Sequence, residues 1–142
     1  MTTDLNHFIS AQNSVYPEVL QELAQGNKTS HWMWFIFPQL LGLGRSEIAK
    51  RFALKNIQEA QDYLNHPILG TRLLECAALL LQHPHKSALE IFGSPDNLKL
   101  HSSLTLFAMA SQKDSIFEQL LQQFFKGVPD HNTIKILNHK SV

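Results

Sequence analysis

Pro95–Ala110, PDNLKLHSSLTLFAMA, is the stretch that decides the fold. Pro95-Asp96 opens it as a helix start. At about 100° per residue, Asp96, Lys99, Ser102, Ser103 and Leu106 fall on one stripe. Leu100, Leu104, Phe107 and Ala108 form an apolar arc, with Leu98 and Met109 on the other flank. From Leu104 to Ala110 only Thr105 is polar. A helix this apolar is mostly buried, and the signals on both sides of it are helical as well.

Downstream, Asp114 reads as the cap of SIFEQLLQQFFK and Gly127 as its stop, and Asp130 or Asn132 starts a short helix over TIKIL. Upstream, Ser87 and Glu90 have capping-box spacing before a short helix ended by Gly93. Pro67 suits the first turn of PILGTRLLECAALLLQ, and Asn56 with Glu59 opens IQEAQDYLNH. Ser46 caps a helix to about Leu54. Helices over 4–13 and 16–25 precede these, the second with Pro17 in its first turn and Gly26 as its stop. Residues 26–46, GNKTSHWMWFIFPQLLGLGRS, fit neither a period of two nor one of 3.6. They read as an ordered, mostly irregular, aromatic-rich segment with room for one helical turn. No stretch alternates like a strand between hairpin turns. The expectation is all-α: one compact domain over 1–142 with seven or eight helices.

Composition sets the outer limits. The chain has 142 residues, 44% hydrophobic and 17% charged, which is the make-up of a packed domain rather than a disordered one. Twelve Lys+Arg balance twelve Asp+Glu, so bulk attraction to nucleic acid or an anionic membrane is not expected. A single cysteine, Cys76, excludes an internal disulfide and multi-cysteine metal sites. MTTDLNHF has no signal-peptide pattern, and WMWFIF is too short to span a bilayer. A soluble cytoplasmic protein is expected, with no cofactor and no metal. His83 and His85 flank Pro84 without the further ligands that zinc needs.

Three constellations can carry chemistry. Ser30, His31, Trp32, Trp34, Pro38 and Gln39 form the first. The two tryptophans cannot share a helical face, so one reading sends one into the core and the other to a cleft, where it stacks on a base or sugar beside His31 and Gln39. The other reading makes the segment a core plug. Gly42-Leu43-Gly44-Arg45-Ser46 is the second: glycines before a helix start let amides converge on an anion, which Arg45 grips bidentately. A glycine turn with a surface arginine is its plainer reading. Lys99 is the third, a cation at the entrance of a buried helix with Ser102 and Ser103 one turn on. It binds an anion or, if desolvated, acts as base or amine nucleophile; alternatively it reaches solvent or pairs with Asp96. Cys76, beside Ala77 and Ala78, reads as a small core residue.

SHWMWFIFPQLLGLGRS, YLNHPILGTRLLEC, IFGSPDNLKLHSSLTLF and the early Ala11-Gln12 with Tyr16 together resemble the bacterial domain-of-unknown-function 1810 family over nearly the whole chain. That resemblance implies a single all-α domain and little about activity. The label "calpastatin" that some members carry describes disordered inhibitor segments, unlike this composition. A remoter likeness is to the YbiA-like family, which acts on ADP-ribose-type or glycosylamine substrates through a lysine and an acidic residue. Lys99 corresponds to that lysine, and Glu47, Glu59 and Asp96 all remain open as its partner.

Two functions follow as expectations. In one, the chain binds, and hydrolyses or isomerises, a small anionic ligand of nucleotide, ADP-ribose or sugar-phosphate type. The aromatics stack, Gly42–Ser46 and Arg45 hold the anion, and catalytic Lys99 lies across the pocket with Ser102 and Ser103. In the other, it is a non-catalytic interaction module presenting Phe117 and Phe124 of the 115–126 helix.

Overall fold

The computed structural model describes residues 4–140. Among them are ten helices: α1 (Asn6–Asn13), α2 (Tyr16–Gln25), α3 (Met33–Ile36), α4 (Glu47–Arg51), α5 (Ile57–Asn65), α6 (Leu69–Leu81), α7 (Ala88–Phe92), α8 (Asp96–Ala110), α9 (Ile116–Phe125) and α10 (His131–Lys140). No strand occurs among the described residues; Leu40 and Leu54 form one isolated parallel bridge. None of these helices is long and apolar enough to cross a membrane.

The fold is built around α8, which packs against α5, α7, α9 and α10. Leu100 and every residue from Ser102 to Phe107 are buried. Each large apolar side chain buried there contributes about 1.5–3 kcal/mol. Phe107 joins Tyr63 of α5 to Phe117 of α9, with ring centroids 5.5 Å apart on both sides. Two of the polar residues of α8, Ser102 and Thr105, bond to carbonyls one turn back and to Asp130, just before α10. Thr105 Oγ1 donates to the His101 carbonyl at 2.8 Å and accepts from the Asp130 amide at 2.8 Å. Ser102 Oγ lies 3.2 Å from both the Leu98 carbonyl and Asp130 Oδ2, and its one proton serves one of them. Thr133 donates to the same carboxylate through its amide (3.0 Å) and hydroxyl (2.6 Å), which fixes the start of α10.

Local signals place most helix ends. Gly26 stops α2 in the left-handed region at φ 70°. Ser46 Oγ accepts from the Ala49 amide, Asn56 Oδ1 from the Glu59 amide, and Ser87 with Glu90 completes a full capping box. Four boundaries differ from the sequence reading. α4 ends at Arg51, not near Leu54, because the Leu54 amide donates to the Gln39 carbonyl (2.9 Å) in the bridge. α6 begins at Leu69 because His66 Nδ1 accepts from the Ile68 and Leu69 amides, which leaves Pro67 in the preceding turn. α9 is capped by Ser115, not Asp114, whose φ of 66° puts it outside the helix. α10 is longer than TIKIL. The helix count exceeds the expected seven or eight: each segment with a cap or stop signal forms its own helix, and the aromatic segment adds the single turn α3.

Candidate functional site

The site grows from the turn after α2. Glu22 lies on the apolar face of that helix with Val19 and Leu23, and all three are buried. Its carboxylate collects the loop that follows. Oε1 accepts from the Thr29 amide (2.7 Å), the Ser30 amide (3.0 Å) and the Trp32 indole Nε1–H (3.0 Å), and Oε2 from the Ser30 hydroxyl (2.6 Å). Burial alone would raise its pKa, but hydrogen bonds from Ser30, Thr29 and Trp32 outweigh that and pull it down to about 2. Glu22 is therefore a fixed anion that orders residues 29–32.

The ordered loop delivers side chains in two directions. Trp32 goes inward and is fully buried, with its ring 6.4 Å from both Phe37 and Phe92. Trp34, on the one-turn helix α3, stays partly exposed. Lys28 meets the first residue of α8: its Nζ lies 2.7 Å from Asp96 Oδ2, donates to the Ser30 carbonyl at 2.5 Å and sits 4.9 Å over the Trp32 ring. One turn into α8, Lys99 Nζ lies 3.5 Å from Asp96 Oδ1 and 4.8 Å over the Trp34 ring. The space between is a cleft of about 270 Å³, lined by Lys28, His31, Met33 and Trp34 on one side and Ser94, Pro95, Asp96 and Lys99 on the other.

Three residues singled out in the sequence thus come together: His31, Trp34 and Lys99. Asp96 is the carboxylate beside Lys99; neither Glu47 nor Glu59 lines this cleft. The others lie elsewhere. Trp32 belongs to the core, because its N–H is drawn to Glu22. Gln39 supplies its backbone to the Leu40–Leu54 bridge. Gly42, Gly44, Arg45 and Ser46 precede α4 and do not reach the cleft. Gly44 is there because a Cβ would meet the Ala49 Cβ at 2.5 Å, and Ser46 serves as the cap of α4. Arg45 is exposed. Ser102 and Ser103 lie a further turn along α8, about 5–6 Å deeper: Ser102 faces Asp130, and Ser103 is fully buried with no hydrogen-bond partner for its hydroxyl among the described residues.

Sequence reasoning missed Glu22, Lys28 and Ser94. A signal for Glu22 existed, since a carboxylate at the i+3 position of an apolar stripe needs donors nearby. Nothing local pointed to Lys28, whose partner Asp96 is remote in sequence.

Other candidates resolve into structure. Cys76 is buried and its thiol is pushed up to about 12, chiefly by desolvation, so it is a core residue. Phe117 is only 2% exposed and Phe124 packs against the core, so the exposed pair needed by an interaction module does not form. Among the described residues no group of three His, Cys, Asp or Glu is placed to hold a metal ion.

An all-α single domain with a lysine–aspartate–tryptophan cleft at the head of its central helix is the class of protein this defines. The chain belongs to the family described as "Protein of unknown function (DUF1810)", which it matches over residues 2–137. It is similar to the conserved hypothetical protein Rv1873 from Mycobacterium tuberculosis, known from a crystal structure, with 48% sequence identity and a TM-score of 0.93 over 95% of this chain and 96% of that one. None of the curated proteins matches the chain.

Proposed function

We propose that the cleft binds a small anionic ligand of sugar-phosphate or nucleoside-monophosphate type, with Lys99 as its cation and Trp34 as its stacking face. The observation that carries this reading is the division of labour between two lysines on one carboxylate. Lys28, 5% exposed and 2.7 Å from Asp96, already neutralises that carboxylate. Lys99 is farther, at 3.5 Å, and 24% exposed, so it keeps donors for a second anion. An indole beneath the ammonium gives a sugar or base ring a surface to share. His31, exposed at the rim, adds a hydrogen-bonding group.

The volume narrows the ligand class. About 270 Å³ is at the small end of ligand clefts and holds one ring with one anionic group; ADP-ribose would leave half of itself outside. The Lys99–Asp96 pair also supplies an acid and a base side by side, which ring opening or isomerisation of a sugar phosphate requires. A single buried thiol suits a reducing compartment, and the reading takes the protein as cytoplasmic.

The experiment is a thermal-shift series with sugar phosphates and nucleoside monophosphates. A ligand at 100 times its Kd adds about 2.7 kcal/mol of stability. Lys99→Met should remove the shift, because losing a charge-assisted hydrogen bond costs about 1.5–3 kcal/mol of binding. The reading fails if no such compound raises the melting temperature, or if the Lys99 variant responds like the native protein.

A further inference from the structure

We infer that the chain carries a second ligand site, separate from the Lys99 cleft, that takes a small primary amine with an apolar body. The site is a groove of about 310 Å³ between the second half of α8 and α9. Ala108 and Met109 line it from α8, Glu118, Leu121 and Gln122 from α9, and Gly127 from the turn that follows.

The charge in this groove is one-sided. Glu118 is the carboxylate of its lining, and no Lys, Arg or His stands beside it there. The Lys99 cleft differs, as does the groove where Lys50 and Lys55 meet Asp4 and Glu59: in both, cations and carboxylates share the walls. Glu118 is partly buried, and its Oε2 accepts from the Asp114 amide at 2.9 Å. That bond leaves the negative charge in place. Oε1 has no donor, and Glu118 no ion pair, among the described residues.

Helix capping accounts for part of this arrangement. Ser115 Oγ accepts from the Glu118 amide, and the Asp114 bond holds a left-handed residue, φ 66°, ahead of the helix. Capping uses one oxygen and does not require the concavity beside the other. Nor does it explain Met109, whose thioether side chain is 55% exposed at the rim while Leu121 below is buried. Gln122 forms no hydrogen bond among the described residues. Its Oε1 lies against Gly127, where a Cβ would come within 2.8 Å of it, so it is a second acceptor in the lining.

An ammonium group donates three hydrogen bonds and accepts none, which matches this set of oxygens. An anion would be repelled by Glu118 with no cation in the lining to offset it. The apolar body of the amine would lie on Ala108 and Leu121 and cover Met109, removing apolar surface from water. A groove of about 310 Å³ suits one ring or a short chain.

The test is isothermal titration of the whole chain with 2-phenylethylamine, and with 2-phenylethanol, which has the same shape without the charge. The amine should bind, and the alcohol about tenfold or more weakly, as expected for loss of a charge-assisted hydrogen bond. Glu118→Gln keeps an acceptor for the Asp114 amide and should lower amine affinity by a similar factor. Met109→Ala, at an exposed position, should melt like the native protein and bind the amine several-fold more weakly. Lys99→Met should bind it as the native protein does, which separates this groove from the proposed sugar-phosphate cleft. No binding of the amine at millimolar concentration, equal binding of the alcohol, native affinity in either groove variant, or loss on Lys99→Met would each overturn the inference.

Discussion

Glu22→Gln tests the clamp on which the Lys99 cleft stands. The carboxylate is 7% exposed and accepts from four donors, two of them loop amides. Its pKa falls from 4.5 to about 2 on folding. Each unit is worth about 1.4 kcal/mol, so the ionised clamp contributes about 3 kcal/mol at neutral pH. The folded-state pKa is the lower one, so the unfolded chain binds the extra proton between pH 4.5 and 2. Stability is therefore complete above that window and lost as pH falls through it; about three fifths of the contribution is gone by pH 3. Glutamine keeps an acceptor and the shape but has no charge to lose. Urea unfolding followed by tryptophan fluorescence should show the variant about 2–3 kcal/mol less stable at pH 7 and within about 1 kcal/mol of the native protein at pH 3. A deficit that is equal at the two pH values, or under about 1 kcal/mol at pH 7, would refute the assignment of Glu22 as an ionised clamp.

Three further outcomes are expected. Lys28→Met should cost about 2–3 kcal/mol, because it removes the 2.7 Å partner of Asp96 and the donor to Ser30, while Lys99→Met, a partly exposed pair, should change stability by less than about 1 kcal/mol; thermal melts of the two side by side check this, and the reverse order would exchange their roles. Gly70→Ala should cost about 3 kcal/mol or more, or prevent folding, since a Cβ there would lie 1.9 Å from the Leu64 carbonyl oxygen and either α5 or α6 must move; a melt near native would mean the two helices are not in this contact. Cys76 should resist iodoacetamide at pH 8 in the folded protein and react once urea unfolds it, because burial holds its thiol at about 12; labelling at the unfolded rate without urea would contradict the burial.

The all-α class and most helix ends were legible in the sequence because their causes are local. A cap such as Ser87 with Glu90 acts within four residues, Gly26 needs only its own φ, and the apolar arc of α8 follows from helix geometry. Errors fell where a distant or unrecognised partner intervened. Leu40 shortened α4 through a backbone bridge, and the His66 ring took the amides that would have begun α6 one turn early. The aromatic segment was the hardest part, because Trp32 and Trp34 look alike in sequence. The choice between them was made by Glu22, whose buried carboxylate captured one indole N–H and left the other ring over the cleft.

The grouping of polar residues was a tertiary decision throughout. Lys99, Ser102 and Ser103 share a stripe, but only Lys99 lies at the open end of α8; one turn deeper, the same stripe is core and Ser102 serves Asp130. Arg45 and Lys99 could both be read as anion ligands, and chain order gave no means of telling that they occupy different parts of the surface. Lys28 and Asp96, 68 positions apart, meet because α2 ends where α8 begins. Periodicity and capping act over a few residues, so by itself the sequence determined which segments are helices and which helix is buried. Which side chains share a cleft depends on how those helices pack, and only the tertiary structure decided that.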